Sequence, residues 1–444
     1  MKSEIKLYKM KRSLIILMLV GTIGLDEAFG QDSLELSTAI QIGLENNFDI
    51  KIAQGQKQIA SNNNTIGNAG FLPTLDLSAG KRYTHENTSQ TFLDGREQNV
   101  DGAKSDNLSA GAAFNWTFFD GTTMFFTKNR LQELEKEGVE ISKSVVQNTV
   151  AQIAKEYYTV ALEQIRLQLL EENIGLSEDR LEIAKNKYDF GRASKMEYLQ
   201  AQVDLNRDKS NYMIQQENLA ASKTSLNELL GRDVTLDFYV AFDPELNTGL
   251  QYEQLAAAME KNNPELLAAQ YSINASLLAK KELFGERIPS IGLNVGYNYA
   301  KSEAQAGFLI NRQSNGVTYG VSASWNIFDG FNLNRRTQNA KIIAENSQFN
   351  YESIKLSLQR ELYSTYITYN NNIQLREMEQ VNREVARENN DIAIERYAVG
   401  NSSPLELREA QINLLEANLR LLNAAYSLKT GEIDLLLLAG ILME

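Results

Sequence analysis

The chain has 444 residues, with 44 Lys and Arg against 57 Asp and Glu, a formal net charge of −13 at pH 7. Such acidity argues against nucleic acid as a partner, which needs a basic footprint. One histidine (His85) and no cysteine exclude disulfides, thiolate metal sites, thiol catalysis and histidine triads; no cofactor or metal site is expected.

Residues 1–30 read as a secretory signal. Lys2, Lys6, Lys9, Lys11 and Arg12 precede an apolar stretch from Leu14 to Leu25, and Ala28-Phe29-Gly30 is a small-x-small cleavage site. The apolar stretch is short of the ~20 residues a spanning helix needs. Removing residues 1–30 leaves 39 basic and 54 acidic side chains, a mature charge of about −15.

The remainder carries one pattern twice. Asn46-Asn47, Pro73 and Tyr83 recur as Asn262-Asn263, Pro289 and Tyr299, at an offset of 216. Trp116, Asp120, Gly121, Tyr188, Gly191, Gln202 and Gly231 recur as Trp325, Asp329, Gly330, Tyr397, Gly400, Gln411 and Gly440, at an offset of 209. A period this long is no solenoid repeat; it is a duplicated half-domain. The first half spans 31–231, a linker containing Pro244 covers 232–251, and the second half spans 252–444.

Each half opens with helical signal, Leu36 to Gly70 and Tyr252 to Glu286, which Pro73 and Pro289 end. Asn263-Pro264 is an N-cap followed by proline at the first helical position; Phe48 replaces that proline in the first half. After each terminal proline the period becomes two. Strands are expected over about 74–83, 107–118, 290–300 and 317–328, apolar on one face and Gly, Ser, Asn or Thr on the other. Polar loops over about 86–106 and 302–316 join them, and their lengths explain the offset change. Alternation alone also fits a soluble hairpin packed on helices. The aromatic residues Trp116, Phe118, Trp325 and Phe328, clustered at one end of both returning strands, favour a membrane-interface girdle in contact with outer-membrane lipid.

Thr122 to Phe190 and Phe331 to Val399 then lack proline, and the second carries apolar residues at steps of mostly three and four. Some 68 residues at 1.5 Å each make helices on the order of 100 Å, suited to coiled-coil-like packing. Glycine turns at Gly191-Arg192 and Gly400-Asn401 reverse the chain into shorter helices, about 195–230 and 404–438. Two short helices are expected to stack end to end beside each long one. The fold class is therefore mainly α with a transmembrane β-barrel portion. Four strands cannot close a barrel alone and an open edge is not tolerated in lipid, so the sheet must close by oligomerising.

The chain resembles the TolC family of outer-membrane efflux and secretion channels. The likeness rests on Phe71-Leu72-Pro73 with its weaker counterpart Ile288-Pro289, and on Phe119-Asp120-Gly121 with Phe328-Asp329-Gly330. It also rests on the turn pattern of Tyr188, Gly191 and Gln202, repeated as Tyr397, Gly400 and Gln411. The resemblance implies a homotrimer with a twelve-stranded barrel on a periplasmic helical tunnel, an inner-membrane pump, and a periplasmic adaptor gripping the far end. The duct would serve a tripartite efflux or type I secretion system. The turns at Gly191, Arg192, Gly400 and Asn401 would then receive the adaptor.

By the same resemblance, acids six and nine residues past the second turn glycine narrow the closed tunnel; they are Glu406 and Glu409. Their spacing places both on one helical face, although Ser403-Pro404-Leu405-Glu406 also reads as a capping box. Tyr397 and Glu197 match residues that tie the closed tip, whereas Ser402 stands where the family has an arginine. Arg192 or Arg408 are candidate substitutes. The reading is a passive exit duct without catalysis; the alternative is a structural periplasmic coiled-coil protein without a pore.

Overall fold

The computed structural model describes residues 33–241, 247–307 and 309–443. The signal segment and Pro244 lie outside them. In chain order the elements are β1 (Ser33–Leu34), α1 (Leu36–Asn46), α2 (Phe48–Asn63), β2 (Thr74–Thr91), β3 (Glu97–Asp120), α3 (Thr123–Asp189) and α4 (Lys195–Leu229). There follow β4 (Tyr239–Val240), α5 (Tyr252–Asn262), α6 (Pro264–Gly285), β5 (Ser290–Ala304), β6 (Asn311–Ser324), α7 (Asn332–Ala398) and α8 (Pro404–Ala439). The two long helices have 67 residues each, about 100 Å at helical rise.

The opening helix of each half is broken, not continuous. Asn47 and Asn263 interrupt it, and each side chain caps the following helix by accepting from the backbone amides two and three residues on: Asp49 and Ile50, Glu265 and Leu266. The same two side chains also donate outward, Asn47 Nδ2 to the Leu229 carbonyl at 2.9 Å and Asn263 Nδ2 to the Leu438 carbonyl at 3.0 Å. Thus α4 runs end to end into α2 beside α3, and α8 runs into α6 beside α7. Gly231 and Gly440 allow these junctions. Both have positive φ, and an added Cβ would come within 2.8 Å of Asn46 O and 2.6 Å of Asn262 O.

Beside each junction sits a hydrophobic core. One gathers Ile153, Tyr157, Val160, Leu226 and Leu230; the other gathers Leu362, Tyr369, Leu428, Leu435 and Met259. Ile153 and Leu362, like Leu226 and Leu435, are repeat-equivalent and wholly buried. The linker joins the first core through β4, which pairs in parallel with β1, and Tyr157 donates to Leu34 O at 3.0 Å.

The strands form one antiparallel sheet in the order β2-β3-β5-β6. They run further than alternation indicated: the first hairpin turns at 92–96 and the second between 304 and 311. The seven extra residues of the first half therefore lie in its strands, not its turn. Residues beyond the expected strand ends are polar on both faces, so the ladder continues on backbone hydrogen bonds with no apolar period to reveal it. At the other end β6 stops at Ser324, short of 328, because Ser290 is its last partner and Pro289 cannot extend the ladder. Trp325 and Phe328 thus sit just past the sheet. Helix α2 ends at Asn63, ten residues before Pro73. The Asn62-Asn63-Asn64 run and the Thr65 hydroxyl, which accepts from Asn68 N at 3.1 Å, turn the chain first. Among the described residues no helix is long and apolar enough to cross a membrane.

Candidate functional site

Where strand passes to helix, the Phe-Asp-Gly motifs act mechanically. Asp120 accepts from Met124 N at 2.9 Å and Asp329 from Leu333 N at 2.6 Å, capping the long helices. Gly121 and Thr122, like Gly330 and Phe331, have positive φ, which sets the sharp entry. The tryptophans fix the same level: Trp116 Nε1 donates to Phe71 O at 2.9 Å and Trp325 Nε1 to Arg287 O at 3.0 Å. Phe118 lies at a β-bulge and packs edge-on against Trp116, with ring centroids 5.9 Å apart. Phe328 is exposed.

At the far end, α3 and α7 each finish in a glycine turn. Arg192 N donates to Lys187 O and Asn401 N to Arg396 O, across Gly191 (φ 68°) and Gly400 (φ 85°). Ser194 then caps α4 and Ser403 caps α8 by accepting from Glu197 N and Glu406 N. Phe190 and Met196 flank the first turn and Val399 and Leu405 the second, repeat-equivalent and all exposed. No periodic apolar stripe reveals them, since turn residues belong to no stripe.

Between the two turns Tyr397, buried, donates its hydroxyl to Glu197 Oε1 at 2.9 Å. Burial first, and the carboxylate second, push the phenol well above its usual range, so it remains a donor. Lys187 lies 3.5 Å over the Tyr397 ring and donates to the Tyr397 carbonyl at 2.8 Å; desolvation lowers its pKa.

Two to three turns beyond Glu197 along α4 is a buried ionic cluster. Arg408 makes two bonds of 2.8 Å to Asp208, whose Oδ2 also accepts from Ser177 Oγ at 2.6 Å. Arg180 donates to Asp204 at 2.7 Å. Arg408 therefore ties the second half to the first, but through Asp208, not through Tyr397 or Glu197. Arg192 is exposed. A cavity of about 610 Å³ opens beside this cluster, bounded by Glu197, Met196, Tyr397, Leu405 and Ile412. Acid–base pairs buried between helices have no signature in one sequence, because each partner alone reads as a surface charge.

Glu406 and Glu409 are exposed and line one shallow cavity with Arg396, Ser402 and Asn413. Ser402, in the arginine's place, donates to Glu406 Oε2 at 2.6 Å. That bond chiefly, helped by the Ser403 amide and by Arg396, holds Glu406 below the usual carboxylate range.

The sequence profile described as outer membrane efflux protein matches residues 39–232 and 255–441, both halves and nearly all of the described chain. The chain belongs to the outer membrane efflux protein family. It is 22% identical over 411 residues to the outer membrane protein TolC of Vibrio cholerae, covering 90% of this chain and 89% of that protein. It is 24% identical over 414 residues to the probable efflux pump outer membrane protein TtgC of Pseudomonas putida, covering 90% and 81%. The CmeC outer membrane channel of Campylobacter jejuni has the same fold, with a TM-score of 0.78 at 17% identity over 92% of this chain and 86% of that one. As a member, this efflux protein is an outer-membrane exit duct, its helical part in the periplasm. Family members are channels rather than enzymes.

Proposed function

We propose that three copies of this chain close a twelve-stranded barrel and a helical tunnel, which passes cargo without catalysis of its own. The repeat itself supports this most strongly. In the second half α6 packs along α3, burying Pro264, Ala268 and Ala275. Their counterparts on α2, Phe48, Ile52 and Ile59, are 70%, 58% and 60% exposed. Exposed apolar residues on α7, among them Phe349 and Leu356, stand where α3 has the less exposed Glu140 and Gln147. A neighbouring copy's α7 on α2 repeats the α3–α6 contact and covers both faces. Likewise β2 and β6 are unpaired edges, and β6 meeting β2 of the next copy removes every edge, as lipid requires.

In that assembly the aromatic level at Trp116, Phe118, Trp325 and Phe328 meets the membrane interface. Glu406 and Glu409 of three copies narrow the periplasmic opening, and the Tyr397–Glu197 bond helps hold it shut. The turns at Gly191, Arg192, Gly400 and Asn401, with exposed Phe190, Met196, Val399 and Leu405 beside them, receive a periplasmic adaptor that links the duct to an inner-membrane pump. The outer-membrane fraction should yield a heat-modifiable trimer on denaturing gels; a monodisperse monomer soluble without detergent would refute this reading.

A further inference from the structure

The polar face of the sheet is uncharged over most of its height and then meets arginine. Cross-strand register aligns Arg82 with Asn107, Asn107 with Ser302, and Ser302 with Arg312, one residue from each strand. Alternation puts Arg82 on one face with Asp76, Ser78 and Gly80, and Arg312 with Ser314, Gly316 and Thr318. Leu75, Leu77, Val317 and Tyr319 point the other way. On the trimeric reading above, on which this inference rests, the arginine face is the lumen.

Neither guanidinium has a carboxylate nearby on its face. The same-face row below holds Gly80, Ser109, Ala300 and Ser314, and the row above holds Thr84, Ser105 and Ala304. Along β2 the next acids on this face are Glu86 and Asp76, about 13 Å and 20 Å away at strand rise. Both distances exceed the ~8 Å screening length of physiological salt. The opposite face handles its cations differently: Lys81 pairs with Asp106 at 3.1 Å and Lys301 with Glu303 at 2.7 Å. Arg82 and Arg312 are exposed, and among the described residues neither is in an ion pair.

Arg82 lies midway along the edge strand β2 and Arg312 near the outer end of the edge strand β6, about 27 Å and 40 Å along them from the helical end. Closing the sheet brings each Arg82 edge to an Arg312 edge, giving six guanidiniums from three copies. Strand tilt staggers them along the axis by about 9 Å. Twelve strands enclose a backbone radius of only about 12 Å, so these long side chains command the passage. Arginine's planar fork binds phosphate and sulfate oxygens two at a time, and rings of arginine favour anions.

We propose that Arg82 and Arg312 form a collar in the barrel lumen that binds molecules bearing several phosphate or sulfate groups. The duct then has cation-attracting carboxylates at its periplasmic end and an anion-binding collar within its barrel.

Binding of inorganic hexametaphosphate to the detergent-purified full chain tests this whether or not the tip passes ions. Saturable, salt-sensitive binding is expected. It should weaken at least tenfold in Arg82→Gln/Arg312→Gln and be largely kept in Arg82→Lys/Arg312→Lys, both variants remaining heat-modifiable trimers. In planar bilayers hexametaphosphate added from the extracellular side should block the wild type and not the glutamine variant. Absent binding in the wild type, or equal binding in the glutamine variant, overturns the collar. A protein that is not a trimer fails the assembly reading instead, a distinct result read on the gel.

Discussion

Asn47 and Leu229 lie 182 residues apart, yet the Asn47 amide donates to the Leu229 carbonyl at 2.9 Å. Through that bond the end of α4 becomes the beginning of α2, and two short helices serve as one long partner for α3. Asn263 and Leu438 repeat the arrangement in the second half at 3.0 Å.

Each asparagine both caps a helix and satisfies a helix-end carbonyl. Asn47→Ala and Asn263→Ala should each cost about 1–2 kcal/mol, and the two should add roughly because the junctions are separate. The temperature at which the trimer dissociates on denaturing gels reads the effect. Unchanged dissociation in the double variant would mean that the cores around Ile153 and Leu362 carry the junctions alone.

Much of this was legible because the chain says it twice. Period-two runs after Pro73 and Pro289, long proline-free stretches and glycine turns placed every major element. The hairpin extensions were hidden because polar residues on both faces leave no period. The break at Asn47 was hidden because Phe48 stands where Pro264 marks its counterpart. At the tip, Tyr397 and Glu197 could be named from resemblance, and they do meet. Arg408 could be named only as a stand-in for the missing arginine; its partner Asp208, with Ser177 and Arg180 beside it, could not be, since what makes them a cluster is burial between helices far apart in sequence.

That cluster supports a prediction about stability. Asp208→Asn leaves Arg408 buried against a neutral partner and should cost about 3–5 kcal/mol. Tyr397→Phe removes one bond to Glu197 and should cost about 1–2 kcal/mol, while raising ion leakage through the assembled channel. Thermal dissociation and conductance together separate the two effects. Equal losses of stability from both would contradict the placement of the main tie at Arg408 and Asp208.

Bulky substitutions at Gly191 and Gly400 should abolish export while leaving the trimer and barrel intact. Nothing lies within 4 Å of a Cβ added at either glycine, so the folded chain bears only the cost of a positive φ, about 1–2 kcal/mol per site. Cargo export from cells, set against trimer yield, reads the result. Export that survives would place the adaptor elsewhere.

In the proposed acidic opening, the Ser402 bond to Glu406 should set the pH behaviour. A carboxylate whose folded pKa is depressed contributes stability above its unfolded pKa, and that contribution disappears as pH falls through the folded pKa. Glu406 is such a group, so it stays ionised, and available to bind cations, at a pH where an ordinary glutamate is partly protonated. Block by a multivalent cation from the periplasmic side should therefore weaken only in strongly acidic solution. Ser402→Ala should shift the midpoint of that weakening to higher pH. An unmoved midpoint would show that the serine bond does not govern Glu406 in the assembled duct.

Single-channel recording in planar lipid bilayers tests most directly whether this chain forms a pore with an acidic periplasmic opening. The purified trimer should give discrete, cation-selective conductance steps, and Glu406→Gln/Glu409→Gln should keep the steps but lose the cation preference and the block by multivalent cations. Tyr397→Phe should raise the conductance of each step. A trimer that inserts but conducts no ions, even with Tyr397→Phe and Asp208→Asn loosening its tip, would contradict the account.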